Sequence, residues 1–191
     1  PFDASSAPNA PVNDIVVAPD DSFIVAGEFS TIGGVARRAI AKFNANMVLQ
    51  PSFAPVFLPA NTLLRTVARQ TDGKILIGGT FTNVDGLPRF GVARLLATGA
   101  VDPTFDPAIK DIYQGYVAEI AVQADGKILV GGRGRFYSGP NQSGNQANQL
   151  VRLHPDGAWD YLFNTLGGAG ANPTLEDVRQ MIVLPDQRVL V

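Results

Sequence analysis

Apolar residues along this chain fall into short alternating or continuous runs, with no helical stripe. Ala118, Ile120 and Val122 alternate with Glu119, Ala121 and Gln123, the period-two pattern of a strand with one face turned inward. Asp125-Gly126 follows, a dipeptide that predicts a turn between paired strands. The run Ile128-Leu129-Val130 is too short for a helix and is bounded by glycines. It predicts a strand buried on both faces. Leu150-Val151-Arg152-Leu153 predicts a third strand, and residues 159–163 a short fourth.

The same stations recur along the chain. Asp72-Gly73-Lys74-Ile75-Leu76-Ile77-Gly78-Gly79 reappears as Asp125-Gly126-Lys127-Ile128-Leu129-Val130-Gly131-Gly132. A worn copy precedes them, Asp20-Asp21-Ser22-Phe23-Ile24-Val25-Ala26-Gly27, and a further one starts at Asp186-Gln187-Arg188-Val189-Leu190-Val191. Ile40-Ala41-Lys42-Phe43 matches Val92-Ala93-Arg94-Leu95 and Leu150-Val151-Arg152-Leu153, each followed by a turn and then by an aromatic landmark: Phe53, Phe105 or Phe163.

Four short strands in a unit of about 52–58 residues predict an all-β fold, a β-propeller built of four-stranded blades. Blades stack face to face, which explains the unbroken apolar runs, and the paired glycines mark close backbone approach. The expected layout is a tail of one blade over 1–11, blades over 12–55, 64–107 and 117–164, the last with a longer loop, and the start of a further blade over 175–191. A closed ring takes typically about 4–8 blades. The remaining blades are therefore expected from a longer chain or, as the lesser alternative, from a second copy.

Asp-Gly-Lys-Ile-Leu-(Ile/Val)-Gly-Gly, then Thr80-Phe81-Thr82-Asn83-Val84-Asp85-Gly86, Ala93-Arg94-Leu95 and Val101-Asp102-Pro103-Thr104-Phe105-Asp106 together resemble the delta-60 repeat family of bacterial β-propellers. The resemblance implies a module of a large secreted or surface-attached bacterial protein, with an adhesive or structural role. It carries over no catalytic residue.

Composition narrows the chemistry. Gly (20) and Pro (14) suit a turn-rich fold. The net charge of −2 offers no basic field for nucleic acid. Cys is absent and His154 is the single histidine, so thiol nucleophiles, disulfides and Cys- or His-based metal sites are excluded. Residues 43–64 form the longest uncharged stretch, but Pro51, Pro55 and Pro59 break it, so no membrane insertion is expected. No cofactor is expected.

Candidate sites are few. The Asp-Gly turns lack the close spacing of oxygen ligands that a calcium loop needs, and read as turn chemistry. Lys42, Arg94 and Arg152 repeat in the third strand and read as structural cations pairing with Asp102 or Asp160. Arg37, Arg38 and Arg89 read as surface charges. Gly131-Gly132-Arg133-Gly134-Arg135 lacks the Lys-Ser/Thr ending of a phosphate loop. His154 reads as a turn residue and Trp159 as packing. The irregular segment 135–146 of the third unit is polar and carries two aromatics. It is the candidate loop for a protein or glycan partner, through Arg133, Arg135, Tyr137, Asn141 and Gln142. Enzymatic propellers gather charge at the central channel, whereas the inner-strand positions Ile15, Val67, Ile120 and Met181 are apolar. The expected function is a non-enzymatic scaffold or interaction module, with a glycan-binding propeller as one alternative and the non-catalytic part of an enzyme as another.

Overall fold

The computed structural model describes residues 7–107, 109–138, 146–165 and 177–191. In the first unit, β1 (Val12–Val17) and β2 (Phe23–Gly27) pair antiparallel, a two-residue hairpin of β3 (Thr31–Ile32) and β4 (Val35–Ala36) follows, and β5 (Ile40–Phe43) completes the sheet in the order β1-β2-β5. The second unit repeats this. A short connecting strand, β6 (Phe57–Leu58), leads to β7 (Leu64–Arg69) and β8 (Ile75–Gly79). The outer hairpin is β9 (Asn83–Val84) and β10 (Leu87–Pro88), and β11 (Val92–Leu95) closes the sheet β7-β8-β11. In the third unit β12 (Asp111–Val122), β13 (Ile128–Tyr137) and β14 (Gln146–Leu153) form a taller sheet, followed by a one-turn helix, α1 (Tyr161–Thr165). A last pair, β15 (Ile182–Val183) and β16 (Val189–Leu190), begins the next unit.

The sheets stack as propeller blades in an arc that does not close into a ring. β8 lies between two apolar layers. Ile75 and Ile77 pack with Ile24, Ala26 and Ile40 of the first unit, while Leu76 packs with Val117, Ile120 and Val130 of the third. β13 repeats the arrangement, with Ile128 and Val130 on one side and Leu129, Val178 and Met181 on the other. The continuous apolar runs are thus strands buried on both faces, as their pattern predicts. At the free face of the first sheet, Ile15 and Val17 stand exposed, whereas Val67 and Ile120 at the place matching Ile15 are buried.

Three expectations change. The predicted fourth strand is a single bridge in each unit, Phe43–Leu49, Leu95–Val101 and Leu153–Trp159, and in the third unit α1 takes the place of its end. Both ends of the segment 135–146 are strand. Arg135, Phe136 and Tyr137 extend β13 and pair with Asn148, Ala147 and Gln146, so part of the extra length becomes a taller hairpin. Arg89 is buried, with Nη1 donating to the Pro88 carbonyl and lying 3.9 Å from Asp106 Oδ1.

A repeated polar contact ties the first blade to the second and the second to the third. Arg94 Nε donates to Asp102 Oδ2 at 2.9 Å, its Nη1 donates to the Pro155 carbonyl of the next unit at 2.7 Å, and its guanidinium lies over Phe105 at 4.5 Å. Lys42 Nζ makes the matching reach to the Ala97 carbonyl, and Arg152 pairs with Asp160 over Phe163. The pairing expected for these cations is present at Arg94 and Arg152. In the first unit Gln50 stands where the others have Asp, so Lys42 keeps the inter-blade bond without the ion pair. Burial works against the charge of Asp102, but the Thr104 hydroxyl and N–H and the Arg94 guanidinium outweigh it and hold the carboxyl below its usual range.

Candidate functional site

Each first strand has its antiparallel register broken at the matching place: between Val12 and Asp14, between Leu64 and Thr66, and between Val117 and Glu119, while the longer β12 is broken a second time between Tyr113 and Tyr116. The extra residue of each matching bulge is Asn13, Arg65 and Ala118. A bulged residue is released from the ladder and its side chain is re-aimed, in contrast to its neighbours on the two blade faces. Arg179 takes the corresponding place in the fourth unit, since Val178 and Met181 face Gly131 as Val117 and Ile120 face Gly78.

The paired glycines are explained by this geometry, one by one. A Cβ on Gly78 would meet Val117 Cγ1 at 2.6 Å and Ile120 Cδ1 at 3.1 Å, so this glycine admits the neighbouring blade. A Cβ on Gly79 would lie 2.1 Å from the Leu63 carbonyl oxygen, so this one admits the bulge. Gly132 meets the Tyr116 carbonyl at 2.0 Å and Gly27 the Pro11 carbonyl at 2.2 Å in the same way. The second glycine of the pair, Gly27, Gly79 or Gly132, is therefore the sequence mark of a bulge on the partner strand.

The three bulge side chains and Arg179 converge on one cavity of about 400 Å³, lined by Asn13, Arg65, Tyr116, Ala118, Asp177 and Arg179. That size falls among small-ligand sites, which run from about 300 to 1,000 Å³. Arg65 stacks on the Tyr116 ring, 4.0 Å from its centroid, and its Nε is buried without a hydrogen-bond partner. The Tyr116 hydroxyl donates weakly to Asp177 Oδ2 at 3.4 Å, and Arg179 Nε lies 3.6 Å from the same oxygen. Asp177 Oδ1 is buried and unpartnered. Asn13 Nδ2 donates to the Leu64 carbonyl at 2.8 Å and fixes the first bulge against the second.

Next to each bulge a side chain reaches the following strand. Asp14 Oδ2 accepts from the Val67 N–H at 2.7 Å, and Thr66 Oγ1 from the Ile120 N–H at 3.3 Å. Glu119 occupies the third such place. Burial, with the charge of Asp14 adding to it, raises its carboxyl to about 7.

The sequence-derived candidates are not brought together. Arg133 and Arg135 are exposed on β13, but Tyr137 is 6% exposed in the same strand and packs as core. Tyr137 is therefore not a free ligand platform. Asn141 and Gln142 lie outside the described residues. The Gly-rich stretch 131–135 is strand, with no helix after it. Trp159 is core, at 2% exposure. The turn carboxylates of Asp72, Asp125 and Asp186 each accept the N–H two residues on, which is turn chemistry. Among the described residues no group of three or more His, Cys, Asp or Glu is placed to hold a metal ion, and no helix is long and apolar enough to cross a membrane.

The polar cavity corrects the expectation of an apolar inner surface. Val67, Ile120 and Met181 are buried in the blade stack, but a bulge resets the alternation just before Val67 and Ile120 and turns Arg65 and Ala118 to the cavity, where Arg179 joins them. Period-two counting cannot see that reset, although the second glycine of each pair announces it.

Stacked antiparallel sheets whose first strands converge on a shared cavity define a β-propeller. The chain belongs to the family described as a domain of unknown function (DUF5122) beta-propeller, whose model matches residues 18–53, 70–105 and 123–163. Those three matches fall on the three repeated units. Among solved structures, the extracellular domain of a proposed one-component system from B. thetaiotaomicron is similar over 98% of this chain, with a TM-score of 0.55 and 13% identity. The chain spans 21% of that structure's length, and the likeness is one of fold. A protein of unknown function from Bacteroides caccae matches over 81% of this chain and 67% of its own, at 13% identity and a TM-score of 0.30. No curated protein matches the chain.

Proposed function

We propose that the chain is a non-enzymatic recognition module of a large secreted or cell-surface bacterial protein, of the delta-60 repeat type, which binds its partner through the cavity at the bulged first strands. One observation carries this reading. Successive blades vary the side chain at one structural position, as Asn13, Arg65, Ala118 and Arg179, around one cavity, while the residues that hold the blades together are repeated nearly unchanged. A rigid frame with variable side chains at one place is how repeat folds build binding surfaces. Extracellular placement agrees with the propeller neighbour that is an extracellular domain.

The test is a glycan array and a panel of bacterial surface proteins probed with the chain and with its Arg65→Gln variant. The expected result is a defined set of ligands whose binding falls in the variant. Binding unchanged by Arg65→Gln would move recognition away from this cavity. Turnover of any captured ligand would overturn the non-enzymatic reading.

A further inference from the structure

We infer that the cavity at the bulged strands takes a sugar acid, a uronate residue presented by an acidic glycan. This deepens the recognition reading above and rests on it. The argument begins from charge. Among the described residues that line the cavity, two guanidinium groups, Arg65 and Arg179, stand with one carboxylate, Asp177, which leaves a single positive charge. A ligand with one negative charge neutralises it. The stack on Tyr116 fixes the plane of the Arg65 guanidinium, which leaves its edge to donate in-plane, the geometry that suits a carboxylate. Its buried Nε lacks a partner, and a buried donor of this kind is costly until a ligand satisfies it.

The second half of the argument is Asp177. Its Oδ1 is buried and unpartnered, and a carboxylate oxygen only accepts. The ligand must therefore bring a donor as well as a negative charge. A uronate carries one carboxylate with ring hydroxyls beside it, which meets both demands at once. A simple carboxylate such as acetate leaves Asp177 unsatisfied. A free amino acid brings a donor but has no net charge, so the extra positive charge remains. An oligo-aspartate brings several charges to a site that needs one. The open cavity of about 400 Å³ gives room for a residue within a longer glycan.

Isothermal titration of the whole chain with sodium glucuronate, a digalacturonate, glucose, acetate and tri-aspartate tests this. The expected result is saturable binding of the uronates, with glucose and acetate silent. Arg65→Gln should weaken uronate binding by at least about tenfold, the loss of one charge-assisted hydrogen bond, and Asp177→Asn by a smaller factor. Arg179→Gln alters a side chain that is 83% exposed, so it leaves folding intact and still lowers affinity. Comparison of the monomer and the digalacturonate separates a free sugar acid from a glycan as the source. Acetate binding as well as glucuronate, or tri-aspartate binding with the uronates silent, would overturn the assignment. Silence of both uronates would overturn it too. If the array ligands still depend on Arg65 in that case, the recognition reading survives and only the sugar-acid assignment fails.

Discussion

Replacement of Gly78 by alanine tests the blade stack at one atom. The new Cβ would lie 2.5 Å from Thr66 Cγ2, 2.6 Å from Val117 Cγ1 and 3.1 Å from Ile120 Cδ1. Carbon atoms in contact prefer about 3.5–4.0 Å, so the second and third blades must part by roughly 1 Å or shift their side chains. Overpacking of this kind costs about 1–3 kcal/mol. Loss of the unfolded-state freedom of glycine returns up to about 1 kcal/mol, for a net destabilisation of about 1–2 kcal/mol. The first unit carries Ala26 at the matching place, fully buried, so the position tolerates a Cβ where the facing blade is shaped for it. Val117→Ala removes the nearest obstruction on the facing blade and should cost about 1–3 kcal/mol by itself through the cavity it leaves. In the double variant the two costs should fall short of their sum by at least about 0.5 kcal/mol, because each change relieves the other. Urea unfolding followed by the fluorescence of Trp159, the single tryptophan and 2% exposed in the third blade, measures all four members of the cycle. Costs that add within about 0.3 kcal/mol would refute the argument that these blades meet through Gly78 and Val117.

Other outcomes follow from neighbouring features. Gly79→Ala should destabilise more than Gly78→Ala and resist second-site rescue, since its obstruction is the Leu63 carbonyl oxygen at 2.1 Å and not a side chain; the same urea assay reads it. Arg94→Met leaves Asp102 buried with Thr104 and the more distant Lys74, and should cost roughly 3 kcal/mol, with less lost when Asp102→Asn is added. Glu119, raised to about 7, binds its proton in the folded chain over a range where the unfolded chain has released it, so stability falls as pH rises from about 4.5 to 7 and then levels. With the partial exposure of this group discounted, the fall is roughly 1–2 kcal/mol, and urea midpoints of Glu119→Gln between pH 5 and 8 should lack it; parallel profiles for the two proteins would sink this account.

Much of this fold was legible in the sequence because stacked blades impose a strong local rule. Ile75-Leu76-Ile77 must be apolar throughout, since each face of β8 meets a blade, and Asp72 must precede Gly73 to form the turn. The pairing of Arg94 with Asp102 was readable from its recurrence as Arg152 with Asp160. What escaped was set by geometry that a residue count does not carry. The taller third hairpin uses polar residues, Arg133 and Arg135, in strand, so its composition reads as loop. Tyr137 reads as exposed for the same reason and is core. The cavity was missed because its lining comes from bulges, and a bulged residue obeys neither face of the alternation. Asp177 and Tyr116 join it through spatial neighbours, far from Arg65 in sequence.

The bulge separates two tasks that most proteins entangle. Residues that hold the blades together obey a fixed recipe, and the recipe leaves one blank per repeat. Asn, Arg, Ala and Arg fill those blanks here, at Asn13, Arg65, Ala118 and Arg179. Apart from Asn13, whose amide ties the first bulge to the second, a change of letter there alters what the surface reads without disturbing the stack, because the facing glycine accommodates backbone and not side chain. Evolution can therefore explore specificity combinatorially, one blank at a time, with little risk to folding. An experimenter can do the same: a library randomised at Arg65, Ala118 and Arg179, with Asn13 kept for its bond to Leu64, should retain the folded scaffold in most of its members and vary chiefly in what it captures.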